Sequence, residues 1–208
     1  MTMGRNKAWG AVVAGLVLAL MACAPAQARE KVGTVVKTQG EVSAAFEGRT
    51  RALAPGAELF KGDTLLTGGK DSRVQARLED RSELTLGGNG AMTLDDLVVG
   101  PPGTTREVMS LLNGAFLLVA SPTPGAVVRT PVATLGIRGT QFWGGPLDGA
   151  LDVFLLEGKV EVRNADGSVL LDAPGQGTVL KGSGAPGGVQ VWGPDKVARA
   201  TATVSFAP

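Results

Sequence analysis

Histidine and tyrosine are absent from the 208 residues, and cysteine occurs once, as Cys23. Without histidine, a serine hydrolase lacks its usual proton acceptor. The lysine substitute would read Ser-x-x-Lys, and no serine here has lysine three residues on. Zinc, copper and haem sites draw on histidine or cysteine and are excluded too. Calcium or magnesium could still use carboxylates. However, Gly144-Gly145-Pro146-Leu147-Asp148, which loosely resembles a calcium-binding β-roll repeat, occurs once and with the wrong spacing. No metal, cofactor or catalytic residue is expected.

Aromatic residues make up only 4% of the chain, so Trp143 and Trp192 read as core packing before they read as a sugar-stacking pair. The paired acids Glu79-Asp80 and Asp95-Asp96 read as solvated strand ends, because glycosidase carboxylates must face each other across a cleft. No glycine-rich segment has the lysine and the following helix of a phosphate cradle.

Long apolar runs are also missing, apart from Ala11–Ala22 near the start. Behind Arg5 and Lys7, that run has the length of an export-signal core and is too short to span a bilayer. Ala26-Gln27-Ala28 offers a cleavage site, so residues 1–28 are expected to be a signal peptide, with a mature chain from Arg29. Leu20-Met21-Ala22-Cys23 also resembles a lipobox, whose Cys23 would be lipidated to give an outer-membrane lipoprotein. Removing residues 1–28 takes Arg5 and Lys7 from the 20 basic residues and none from the 19 acidic ones, leaving one net negative charge. Nucleic acid is therefore not an expected partner. The mature chain would also lack cysteine, which excludes thiol catalysis and disulfides in an oxidising compartment.

What the chain has in abundance is glycine (31) and proline (12), spread along its length as in many short strands joined by tight turns. Arg73–Glu79, Lys159–Arg163 and Arg199–Phe206 alternate polar and apolar residues, the pattern of strands with one wet face. Asn164-Ala165-Asp166-Gly167 reads as a hairpin turn. The best helical stretch, Arg106–Leu112, is short and soon reaches Asn113-Gly114. Loops are expected around 101–103, 122–125 and 182–188.

A weak repeat runs through the pattern. Val35–Val42 contains Gly40 and is followed by Pro55-Gly56 and Lys61-Gly62; Val153–Val160 contains Gly158 and is followed by Pro174-Gly175 and Lys181-Gly182. Leu111–Phe116, with Gly114, is a partial third copy. The expected fold is all-β: one elongated two-layer or solenoid-like domain of stacked short strands over 29–208, with C-terminal strands at 189–206.

Thr130-Pro131-Val132-Ala133-Thr134-Leu135-Gly136-Ile137-Arg138-Gly139-Thr140-Gln141-Phe142 resembles the signature of the FecR domain family, TP-x-A-x-x-G-x-R-G-T-x-F. Gly62-Asp63-Thr64-Leu65-Leu66-Thr67 upstream and Leu156–Val162 with Pro174-Gly175-Gln176 downstream stand in the family's order, over about 33–181. The resemblance implies an all-β extracytoplasmic domain. In the best-known members, such a domain relays occupancy of a ferric-siderophore receptor to a cytoplasmic anti-sigma segment. Only about ten residues precede the apolar run, too few for that segment, so the module is expected without the full circuit. Thr130, Pro131, Gly136, Arg138, Gly139, Thr140 and Phe142 are the signature residues. Arg138, bracketed by glycines, is expected to turn inward and pair with backbone carbonyls or a carboxylate such as Asp63, because an unpaired buried guanidinium would be costly; the alternative is a contact to a partner or an anion.

The expected function is a non-catalytic binding or scaffold module, periplasmic or secreted, whose partner is another envelope protein or a glycan. The alternative is the sensor component of a sigma/anti-sigma, iron-uptake type system, working with a separate membrane regulator. The sequence sets neither the ligand nor the oligomeric state.

Overall fold

Alternating apolar side chains and left-handed glycines divide the chain into many short strands. The computed structural model describes residues 29–98, 106–121, 126–182 and 184–207. The proposed signal peptide and Cys23 lie outside these residues, as do most of the two loops expected near 101 and 122. The described strands are β1 (Lys31–Gln39), β2 (Val42–Phe46), β3 (Arg49–Ala52), β4 (Glu58–Phe60), β5 (Thr64–Thr67), β6 (Arg73–Leu78), β7 (Glu83–Leu86) and β8 (Ala91–Val98). They continue with β9 (Arg106–Asn113), β10 (Phe116–Val119), β11 (Val127–Arg129), β12 (Thr134–Leu147), β13 (Ala150–Asn164), β14 (Gly167–Leu171), β15 (Gln176–Leu180) and β16 (Gln190–Val191). One helix, α1 (Pro194–Ala202), follows.

All the strands join one sheet, ordered β3-β2-β5-β8-β9-β11-β12-β10-β7-β6-β1-β4, with β13 beside β12 and carrying β14 and β15. The sheet curls into a half-barrel around a core that takes side chains from both ends of this path, including Val35, Ala44, Leu59, Leu65, Phe116, Phe142 and Leu155. The all-β expectation therefore holds. Solenoid-like stacking finds no support in this order, because every described pairing is antiparallel except β9 with β11. Loop closure by hairpins is local, and it wins over the long crossovers that coils of parallel strands need.

The weak repeat has a structural counterpart. Gly56 and Gly175 both sit at φ +88° after their prolines. Each donates its amide to a strand carbonyl, Val35 O at 2.8 Å and Leu155 O at 2.9 Å respectively.

Two expectations need correction. Arg106–Leu112, the best helical stretch by sequence, lies in β9. Conversely Arg199–Phe206, expected as a strand, is the end of α1 and the turn after it. Its small-residue alternation mimics a strand, but Pro194 opens a helix, and Asp195 and Arg199 suit the helix's two ends. Val197 and Ala200, three apart, then fall on one helical face, and Val204 joins them from the turn that follows. Packing decides between the two patterns. That face covers a second apolar cluster of Trp143, Phe154 and Trp192 on the outside of the sheet. Trp192 stacks on Phe154 at 4.8 Å and meets Trp143 edge-on at 6.0 Å, so both tryptophans pack rather than await a sugar.

Candidate binding site on the β12–β13 ribbon

The signature begins with a turn. Thr130 N donates to Ala133 O at 2.8 Å, and the Thr130 hydroxyl accepts from Ala133 N at 3.0 Å. Pro131, with no amide to satisfy, takes the exposed tip of the turn. From there β12 runs for 14 residues against β13.

Midway, the ribbon changes phase. Leu135 and Ile137 face the core at odd positions of β12, whereas beyond Gly139 it is Phe142 that does so. On β13 the core residues are Val153 and Leu155, then Val160 and Val162. A one-residue shift exchanges the two faces of a strand, so both strands must carry a bulge at the same level. The register breaks there, between Arg138 and Phe142. Gly139 (φ +49°) and Gly158 (φ +82°) supply the left-handed backbone. A Cβ on Gly158 would lie 2.3 Å from Gly139 O, so only glycine fits.

Thr140 holds the bulge closed. Its hydroxyl is 2.7 Å from Arg138 O and 2.8 Å from Lys159 O, donating to one of them, and it accepts from Lys159 N at 3.2 Å. Phe142 is fully buried, edge-on to Phe116 at 5.4 Å. Before the bulge β12 pairs with β11, and after it with β10. The signature is thus the corner at which the ribbon passes from one part of the curled sheet to another.

Arg138 does not turn inward. It is exposed on the outer face, directly opposite Lys159. Leu135 and Ile137 already occupy the inward phase, so position 138 must point out. Asp63 is buried, as its expected pairing required, but its partners are other arginines. It accepts from Arg29 Nη2 at 2.7 Å, from Phe60 N at 2.9 Å and from both terminal nitrogens of Arg51. Arg29 also lies over the Phe46 ring at 3.5 Å. Burial pushes the Asp63 carboxyl up, but the Arg51, Phe60 and Arg29 hydrogen bonds outweigh it and hold the group below its usual range. Arg51 on β3 also donates to Glu58 O on β4, so this cluster ties together the two ends of the sheet path. Sequence reasoning missed Arg29 and Arg51, whose distance along the chain from Asp63 leaves no local trace.

A second buried acid, Asp152, takes Lys196 Nζ of α1 at 2.5 Å. Burial dominates here and raises its pKa despite that lysine. At the helix's other end, Arg199 pairs with exposed Asp148 through two bonds, at 2.6 and 2.9 Å. Both acids belong to the β12–β13 ribbon or its turn, so α1 is clipped onto it as well as packed. Among the described residues, no group of three acids, histidines or cysteines converges as a metal site would require.

Beside the signature turn lies an open groove of about 160 Å³, walled by Leu112, Gly114, Pro131, Val132, Pro146 and Leu151. Small-molecule sites usually start at about 300 Å³, so this groove suits one or two inserted side chains. Leu112 is 56% exposed at its rim, a large apolar residue left in water. Turns β9–β10, β11–β12 and the β12–β13 hairpin all contribute, so the groove depends on the ribbon's bend.

The architecture is thus a curled all-β domain with an apolar groove beside the signature turn. Residues 63–161, a little under half of the chain, match the FecR protein family. The match starts at Asp63 and ends within β13, narrower than the 33–181 expected from the motifs. No curated protein matches the chain in sequence. Among solved structures, the fold is similar to two crystal structures of a candidate anti-sigma factor from Parabacteroides distasonis ATCC 8503, at 1.65 and 2.50 Å resolution. Their TM-scores are 0.53 and 0.54, each at 17% identity over 64% of this chain. This chain spans 62% of that protein's length, and the likeness is one of fold.

Proposed function

We propose that the protein is a non-catalytic, extracytoplasmic FecR-domain module that docks a protein partner in signalling of the sigma/anti-sigma kind. The carrying observation is Leu112, exposed beside Pro131 at the groove built by the signature turn. A groove of this size can take a side chain of a partner, and buried anchors in such pockets carry most of protein–protein affinity. The FecR match and the fold shared with a candidate anti-sigma factor favour signalling over a plain scaffold. Residues 1–28, with their export-like pattern, favour a place outside the cytoplasm. No helix among the described residues is long and apolar enough to cross a membrane.

The test is transcript profiling of a deletion strain complemented with the wild type or with Leu112→Glu. The signalling reading expects one coherent set of promoters to shift on deletion, with rescue by the wild type and not by the groove variant. An unchanged transcriptome would refute it and leave the scaffold reading. Rescue by Leu112→Glu would move the docking site elsewhere.

A further inference from the structure

Among the described strands, β14 leaves a sheet edge bare. β3 and β4, at the two ends of the path, are tied together through Arg51, and β15 is covered by β16, itself only two residues long. β14 (GSVLL) pairs with β13 alone. The two-residue turn at 165–166 makes Asn164–Gly167 a pair that exchanges hydrogen bonds, and such pairs alternate along an antiparallel ladder, so Val169 and Leu171 bond to β13. The amides and carbonyls of Ser168 and Leu170 therefore point away from β13, and among the described residues nothing bonds to them. Soluble proteins guard such an edge with charge, proline or a bulge. β14 has none of these, and its Leu170 is 49% exposed.

What fits this edge is the edge itself. A second copy related by a two-fold axis adds antiparallel, and the same surface then serves both partners. With Leu170 opposite Leu170, the two leucines exchange both edge bonds. Ser168 then stands opposite Asp172 of the second copy and donates to its carbonyl, since the Asp172 amide is already held by the Gln176 side chain at 2.9 Å. The side chains match in the same register. Leu170, next to Glu161 on the outer face, gains an apolar partner directly across. Arg163 lies beside Ser168, two strand spacings or about 10 Å from Asp172 of the second copy. A guanidinium spans that distance over a residue as small as serine. Arg163 and Asp172 are both exposed, and among the described residues neither has an ion-pair partner. The two-fold repeats the contact, so two ion pairs flank a leucine centre. An unrelated strand would have to bring an apolar residue and, two positions on, a carboxylate; Leu170 and Asp172 already have that spacing.

We propose that the protein forms a two-fold dimer by adding β14 of one copy to β14 of another, with Leu170 against its copy at the centre and Arg163 against Asp172 on either side. The test is sedimentation equilibrium of the purified protein over a range of concentrations, at low and physiological salt, with a thermal melt of each variant. The proposal expects a reversible monomer–dimer equilibrium that weakens as salt screens the ion pairs. Leu170→Lys should melt like wild type, because the position is exposed, yet dimerise about tenfold or more weakly, because two like charges meet on the axis. Arg163→Asp and Asp172→Arg should each weaken the dimer alone. An equimolar mixture of the two should regain it, because every acid then meets an arginine across the edge, a rescue that a merely structural defect would not give. A monomer at every concentration, a dimer indifferent to Leu170→Lys, or a mixture no stronger than its components would each overturn the proposal. Leu112→Glu should dimerise like wild type, so the fate of the groove reading is separate; a dimer lost in that variant would place the interface elsewhere and overturn the proposal too.

Discussion

Replacing Asp63 with asparagine tests what closes the sheet. The carboxylate is fully buried and receives Arg29, Arg51 and the Phe60 amide. The Asp63→Asn change would keep the shape and one acceptor oxygen but remove the charge, leaving two guanidinium groups facing a neutral amide. Removing one partner of a fully buried pair costs about 3–5 kcal/mol. Here the arginine side chains remain 27% and 36% exposed, so water recovers part of that loss. The expected cost is then about 2–3 kcal/mol at pH 7, or roughly 4–12 °C in melting temperature for a domain of this size. The effect should also depend on pH. The folded carboxyl titrates below its unfolded value of about 3.9, so its contribution is complete above that value and is lost as pH falls through the folded pKa. Urea melts of wild type and Asp63→Asn should therefore differ at pH 7 and converge as the pH falls below about 3.9. A gap that stays constant across that range, or a variant as stable as wild type at pH 7, would refute the electrostatic account of closure.

The same change at Asp152 should behave differently. Its raised pKa means that ionisation costs folding free energy, so its contribution is present at low pH and lost as pH rises through the folded pKa; Asp152→Asn should then cost less than about 1 kcal/mol at pH 7 in the same melts. Gly158→Ala should cost about 3 kcal/mol or more, or abolish soluble expression, because both the φ angle and the Gly139 carbonyl forbid a Cβ. Gly149→Ala, at φ +81° with open space, should cost only about 1 kcal/mol. Arg138→Ala should change stability by less than about 0.5 kcal/mol, the range of surface positions, and a larger loss would restore the inward reading. Trp192→Ala should cost about 3 kcal/mol or more and alter the fluorescence of Trp143 as α1 loosens.

How far the sequence could be read depended on the range of the interactions. Alternation at Arg73–Glu79 and Lys159–Arg163 placed strands correctly, because side-chain direction in a strand is local. The same rule already oriented Arg138: Leu135 and Ile137 share the inward phase, so 138 belongs outside. The flanking glycines suggested burial, but their space is used by the bulge backbone and by Thr140. The Asp63 clamp reaches 34 residues back to Arg29 and 12 back to Arg51, pairings that sequence spacing does not encode. Helix α1 escaped because small residues alternate by chance over Arg199–Phe206, and only its docking on Trp143 and Phe154 favours the helical face.

The phase change explains why one short motif affects two surfaces. Were β12 and β13 to run in a single phase, Phe142 and Leu155 would face water while the curled sheet lost its corner. With the bulge, the first half of the ribbon keeps a polar outer face that includes Arg138. The second half buries both faces, Phe142 and Leu155 in the main core, Trp143 and Phe154 under α1. The helix is therefore a consequence of the bulge, since beyond it an apolar face emerges that something must cover. The groove at Pro131 opens beside the turn from which the uncovered half starts. A bulge-breaking change such as Gly158→Ala should accordingly disturb groove and helix docking together, whereas Leu112→Glu should disturb the groove alone. If the bulge variant folded and lost only one of the two, the ribbon would not be their common frame.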